Sequence, residues 1–440
     1  MSYSPIAEET PAQEKKRLAR VRTATLVGTT VEWYDFYLYA TMASIVFGPV
    51  FFPSEDPQVG ALSAFATFAV GFIARPLGGL LFGHLGDRIG RKKNLVITFT
   101  LMGIASFLIG LLPTYETAGV WAPILLVALR IVQGLGAGAE YTSSAVNAYE
   151  HARFDKRGAQ GAWPALGLNI GLLLSSAVVF LLSQLGDEFL IHGGWRIGFL
   201  VSIVLVGVGL WVRSAVPESP EFEKRVLNDS KADTSLRHLF SGYWSSLLVV
   251  LLVALGYNAV SYIFKTFSIA YVKQFQGFSA STASASVTVA AAIAIITVPI
   301  FGWACDRYGS KRVIGWGGVA SAVYAFVFLW LLSNGTTWGV FVGIGFGTGV
   351  LAPMMFSAQG AFLSRQFPAD VRSGGVGIGR EIGTAISGAL APLGALSLVV
   401  ASPTNSTFWV GIVLVVAGLL VVAGALADRG RKYSPAGGLN

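Results

Sequence analysis

The chain has 440 residues, of which 54% are hydrophobic and only 12% charged. Soluble domains carry about 25% charged residues, so a water-soluble fold is excluded and a membrane protein is expected. The single cysteine, Cys305, rules out an internal disulfide, and the net charge of +8 raises the question of a polyanion partner.

Residues 1–23 are polar and basic and read as a cytoplasmic tail. They do not read as a cleavable signal, because the apolar stretch behind them is too long and has no small-residue cleavage site. About 20 apolar residues cross a bilayer as a helix, and a helix is the one open-chain solution in lipid because it satisfies its own backbone. Twelve such stretches follow, at 24–47, 60–83, 94–112, 120–149, 159–185, 195–213, 243–272, 281–304, 312–333, 336–363, 372–400 and 405–427. The expected fold is therefore an all-α membrane protein of twelve helices in two six-helix halves, 24–213 and 243–427. A cytoplasmic loop at 214–242 joins the halves, and 428–440 forms a cytoplasmic tail. With the N-terminus inside, 25 of the 31 lysines and arginines fall on cytoplasmic segments. That asymmetry places both termini in the cytoplasm of a multi-pass plasma-membrane protein and explains the net charge without a nucleic acid partner.

A ten-residue signature occurs twice, 219 positions apart. Gly83, Asp87, Arg88, Gly90 and Lys92 of the first copy align with Gly302, Asp306, Arg307, Gly309 and Lys311 of the second, and both lie between apolar stretches. Paired halves of this kind are a transporter architecture. The copies read as loops forming a cytoplasmic latch through Gly83, Asp87, Arg88, Gly90, Arg91, Asp306 and Arg307. Gly86 and Gly90 would allow tight turns, and Asp87 would sit against a helix N-terminus or pair with arginines.

The repeated Gly-x-x-x-Asp-Arg-x-Gly-x-Lys resembles the signature of the major facilitator superfamily, as does Arg130-Ile-Val-Gln-Gly-Leu-Gly-Ala-Gly138 in span 4. Val31-Glu-Trp-Tyr-Asp-Phe-Tyr37, Ala74-Arg-Pro-Leu-Gly-Gly79 and Trp195-Arg-Ile-Gly-Phe-Leu200 narrow the resemblance to its metabolite:proton symporter branch. That branch includes shikimate, 2-oxoglutarate, citrate and proline/betaine carriers. The resemblance implies import of a small organic solute together with protons, driven by the proton gradient and without a bound cofactor.

Eight charges fall within spans: Glu32, Asp35, Arg75, Arg130, Glu140, Lys265, Arg380 and Glu381. Each costs at least ~2.5–3.5 kcal/mol at a helix centre, so each needs a partner or a function. Glu32, Asp35 and Tyr39 share one face of span 1 by their i, i+3, i+7 spacing. Asp35 with Arg130, assisted by Glu32, is the expected proton switch: protonated Asp35 releases Arg130 and the carboxylate holds it. A permanent ion pair that makes burial tolerable is the competing reading. Lys265 shares a stripe with Asn258, Ser261 and Tyr262, a set suited to a carboxylate ligand. Lys265 and Arg380 stand where the branch is expected to carry uncharged residues, which favours an anionic substrate. Lys265, Arg380, Glu140, Tyr34, Tyr37, Gln133, Asn258, Tyr262 and Glu381 form the expected substrate site, with internal pairing of Lys265 or Arg380 to Glu381 or Glu140 as the alternative. Arg75 reads as structural.

The four histidines show no metal-ligand spacing, and no nucleophile elbow or phosphate-binding loop is present, so neither a metal, an enzyme nor an ATP-driven pump is expected. The expected protein is a monomeric, proton-coupled symporter importing a small organic acid, with aromatic or cyclic carboxylates among the candidates. The alternative is a proton symporter for zwitterionic osmolytes such as proline or betaine.

Overall fold

The computed structural model describes residues 11–54, 56–89, 91–138, 146, 149, 156–214, 236–368 and 371–429. Among them the chain is helical throughout, with no strand. The helices are α1 Pro11–Ile45, α2 Pro57–Ile89, α3 Arg91–Ile109, α4 Trp121–Ala137, α5 Trp163–Ser183 and α6 Trp195–Ser214. They continue as α7 Leu236–Tyr262, α8 Ala280–Tyr308, α9 Ser310–Ser333, α10 Thr337–Phe346, α11 Arg372–Val400 and α12 Phe408–Leu426. The twelve correspond in order to the twelve apolar stretches.

Nine of the described helices are long and apolar enough to cross a membrane, and Val96–Ile109 and Trp121–Ala137 are shorter apolar helices. The twelfth, α1, is 35 residues long because it starts at Pro11, inside the expected tail. Proline is suited to a first helical turn, where its missing N–H has no partner to lose. Hydropathy marks where lipid begins, whereas the helix ends where its capping fails.

A π-helical turn at Leu190–Gly194 leads into α6, and two helices run on past their ends through such turns. α7 passes through Ile263–Phe267 into a further helix, Ser268–Gln274, and α10 passes through Gly347–Leu351 into Ala352–Ser364. Such turns leave carbonyls short of their helical partners. Here hydroxyls supply them: Thr348 Oγ1 donates to Phe264 O at 3.1 Å, Ser268 Oγ to Phe264 O at 2.7 Å, and Thr297 Oγ1 to Gly349 O at 2.6 Å. Lys265 lies within the first of these turns.

Packing follows the repeat. The largest contacts between the two sets of six helices are α5 against α8 and α2 against α11. Adding six to each number of the second pair, modulo twelve, gives the first, as a two-fold relation of the halves requires. Close approach depends on glycine: a Cβ on Gly78 of α2 would lie 2.0 Å from Leu135 O of α4, and one on Gly134 would lie 2.3 Å from Gly71 O.

The duplicated signature is a helix end and not a loop. α8 extends through Asp306 and Arg307 to Tyr308, and α9 starts at Ser310. Gly309, with φ of +88°, makes the whole turn, in a conformation that side-chain-bearing residues rarely adopt. The first copy is likewise helical to Ile89 and again from Arg91. The polar residues that made these segments read as loops are the ends of helices that outlast their apolar stretches.

Candidate substrate and proton site

The face of α1 predicted from its spacing is buried and points inward: Glu32, Asp35 and Tyr39 are all within 1% of full burial. Asp35 is enclosed on all sides. Neither of its oxygens makes a hydrogen bond of standard geometry. Its polar surroundings are the hydroxyls of Ser106 on α3 and Ser202 on α6, and the charge of Arg130.

Arg130 of α4 makes no direct ion pair with Asp35 in this structure, as in the released state of the expected switch. Its guanidinium carbon lies 4.2 Å from the Tyr39 ring centroid, 4.5 Å from that of Phe36 and 5.1 Å from that of Phe68. A desolvated arginine over aromatic faces is stabilised by about 2 kcal/mol or more, which competes with an ion pair. Its Nη1 donates to Gln133 Oε1, one turn along the same helix. Gln133 Nε2 in turn donates to Ser106 Oγ at 2.7 Å. Gln133 thus connects Arg130 to Ser106, one of the two hydroxyls near Asp35. Gln133, expected at the substrate, is committed to this link. Ser106 carried no sequence signal: it is one small polar residue in an apolar helix. Gly71 makes room for the arginine, since a Cβ there would lie 2.3 Å from Arg130 Nε.

Arg75, read as structural, is fully buried and holds two carboxylates. Nη2 donates to Glu32 Oε1 at 3.3 Å and to Ala137 O at 3.4 Å, while Nε donates to Glu381 Oε2 at 3.1 Å. Arg380 Nη1 bonds the other oxygen of Glu381. Arg380 and Glu381, expected to face substrate, belong to this network, and so does Glu32.

Lys265 is 2% exposed. Its Nζ donates to Tyr37 Oη at 3.0 Å and lies 5.2 Å from that ring's centroid. Among the described residues it has no carboxylate partner. Tyr37 packs against Trp33, with ring centroids 5.4 Å apart. Tyr262 packs edge-on against Phe72 at 5.0 Å, and its hydroxyl has no hydrogen-bond partner among the described residues. Asn258 Nδ2 donates to Thr384 Oγ1 at 3.0 Å, across to α11. The structure therefore brings Tyr37, Tyr262, Asn258 and Lys265 into one buried region. Tyr34 is not part of it: its hydroxyl donates to Gly198 O of α6 at 2.9 Å.

The second copy of the signature makes a contact between the halves. Asp306 accepts from Gly158 N at 2.6 Å and from Ala159 N at 3.2 Å, at the start of the helix Arg157–Gly161. This joins the C-terminal half to the N-terminal half. Arg307 is exposed and lies over its own helix neighbours, 5.5 Å from Trp303 and 5.7 Å from Tyr308. Glu140 and Gly90 lie outside the described residues, as do the side chains of Asp87, Arg88 and Arg91. At the other end of the bundle Lys273 meets Asp187 at 2.6 Å and Gln184 meets Ser281 at 2.6 Å, again between halves. Polar contacts between the halves are thus present at both ends of the described bundle.

The family model "Sugar (and other) transporter" matches residues 21–247, and "Major Facilitator Superfamily" matches residues 266–438. The chain belongs to the major facilitator superfamily. It is a multi-pass membrane transporter with that superfamily's twelve-helix fold. Similar proteins include the shikimate transporter of Escherichia coli (strain K12), 36% identical over 90% of this chain and 92% of that protein. They also include the proline/betaine transporter of the same strain, 33% identical over 84% of this chain and 76% of that protein. A solved D-xylose–proton symporter matches the transporter's fold with a TM-score of 0.70 at 20% identity, over 95% of this chain and 98% of that one.

Proposed function

We propose that this transporter imports a small organic acid together with a proton, by alternating access. The observation that carries the reading is Lys265: a buried ammonium in a π-helical turn, hydrogen-bonded to Tyr37 and without a carboxylate partner among the described residues. A buried cation left without an anion is costly, and a substrate carboxylate supplies one. The Tyr37 ring lies 5.2 Å from Lys265 Nζ with Trp33 packed against it, and aromatic surroundings suit an aromatic or cyclic acid. The relative named as a shikimate transporter supports an organic acid. The relative named as a proline/betaine transporter keeps zwitterions as the second reading, and aromatic faces also suit a quaternary ammonium.

Asp35 is the proton carrier in this reading. Protonated, it is a neutral group in a dry site, and Arg130 rests in its aromatic cage. On losing the proton it draws on Ser106, Gln133 and Arg130, and that changed pull biases the two states of the bundle. The positive-inside rule places the end bearing Asp306 in the cytoplasm.

The test is uptake into proteoliposomes with a panel of cyclic, aromatic, di- and tricarboxylic acids and betaines. Lys265→Ala is expected to weaken carboxylate binding by about 30-fold, the equivalent of ~2 kcal/mol for a lost buried charge contact. Unchanged apparent affinity for every carboxylate removes Lys265 from the site.

A further inference from the structure

The π-helical turns that follow α7 and α10 are bound to each other. Thr348, in the turn Gly347–Leu351, donates from Oγ1 to the carbonyl of Phe264, in the turn Ile263–Phe267, at 3.1 Å. Both residues are fully buried. Ser268 Oγ donates to the same carbonyl at 2.7 Å and to that of Lys265 at 3.0 Å. The peptide units on either side of the Lys265 α-carbon are therefore both held by hydroxyls, one of which comes from another helix.

The far side of this brace is itself fixed. Thr297 Oγ1 of α8 donates to Gly349 O, next to Thr348, at 2.6 Å. Gly347 lies against the Phe264 ring, where a Cβ would come within 3.0 Å of it, and that ring packs on Phe328 of α9 with centroids 4.8 Å apart. Successive helical residues point roughly 100° apart, so seating Phe264 among α9 and α10 turns Lys265 away from them. Its Nζ meets Tyr37 Oη of α1 at 3.0 Å. The ammonium ends a flexible four-carbon stem, so its place depends on the backbone it leaves from as well as on the hydroxyl it meets.

π-Helical turns are rare and concentrate at functional sites. We propose that Thr348 is a positioning residue for substrate binding: it fixes the backbone from which Lys265 reaches the carboxylate, without touching the substrate itself. A binding group held by a supporting hydrogen bond loses affinity when that bond goes, even with every contact residue intact. The proposal rests on the reading of Lys265 as the receiver of the carboxylate and assigns that group its support from the turn after α10.

The test is a double-mutant cycle on the full chain, read by calorimetric titration of the purified protein with benzoate and with cyclohexanecarboxylate. Thr348→Val keeps the shape of the side chain and removes the hydroxyl. It is expected to weaken binding of both acids about tenfold, the worth of one buried hydrogen bond. Phe264 O retains Ser268 in that variant, so no buried carbonyl is stranded. Thr348→Ser, which keeps the donor, is expected to bind like the parent. In a Lys265→Ala background Thr348→Val is expected to add a loss of about twofold or less, because the group it positions is gone. Thr297→Val loosens the same turn from α8, is expected to act in the same direction and serves if Thr348→Val does not fold. Parent-like affinity in Thr348→Val, with binding weakened in Lys265→Ala, overturns this proposal alone. So does a loss of the same size in both backgrounds, which marks general loosening of the fold. Parent-like affinity in Lys265→Ala, or a parent that binds neither acid, overturns the reading of Lys265 and this proposal with it.

Discussion

Asp35 and Arg130 show how a charge can be kept in a dry interior without a direct ion pair. The carboxylate is surrounded by two hydroxyls, and the guanidinium is held by three rings and one amide. This arrangement suits a group that must change charge, because a tight pair would resist protonation. Asp35→Asn is therefore expected to abolish accumulation driven by a pH gradient while preserving exchange of substrate across the membrane. Counterflow with preloaded vesicles measures the exchange, and uphill uptake by the variant at the parent's level would exclude Asp35 as the carrier. The inward face of α1 was legible, because i, i+3, i+7 spacing fixes a face of a helix whatever surrounds it. The ring cage, Ser106 and the bond from Arg75 to Glu381 were not, since each joins residues far apart in sequence. Tyr34 illustrates the same limit: its neighbour Tyr37 reaches Lys265, whereas Tyr34 points to α6, and α1 alone does not show which helix lies on which side.

At the scale of elements, hydropathy located all twelve helices because each must satisfy its backbone within lipid. It misplaced the ends of those that continue past the bilayer, α1 at Pro11 and α8 at Tyr308, since no lipid acts on those turns. The π-helical turns in α7 and α10 left no pattern that periodicity detects. The glycines of α2 and α4 sit where the two helices cross, and the contact distances show how little room exists. Gly78→Ala places a methyl group where Leu135 O already lies, so it is expected to lower stability by about 1–3 kcal/mol, the usual cost of overpacking. Gly207→Ala on α6 meets nothing within 4 Å and is the matched control, expected to be neutral or slightly stabilising. Thermal unfolding in detergent of the two variants beside the parent measures the difference; equal midpoints would show that α2 and α4 can separate without cost.

At the scale of the whole molecule, the two equivalent contact pairs, α5 with α8 and α2 with α11, are the largest surfaces between the halves, and the proposed alternating access takes place across them. The charge that crosses the membrane in one cycle then decides between the two substrate readings. A monocarboxylate carried with one proton moves no net charge, whereas a zwitterion carried with one proton moves one. One elementary charge across 100 mV is worth ~2.3 kcal/mol, enough for roughly 50-fold accumulation. If Lys265 receives a substrate carboxylate and Asp35 a single proton, a pH gradient alone is expected to drive uptake of the anion. A potassium diffusion potential alone, inside negative, is expected to drive none. The measurement is uptake into proteoliposomes in which the two gradients are imposed separately. Voltage-driven accumulation at symmetric pH would assign the site to a zwitterion, or to an anion accompanied by more than one proton. Lys265→Ala separates those two outcomes, because removing the ammonium weakens an anion's binding far more than that of a molecule carrying its own positive charge.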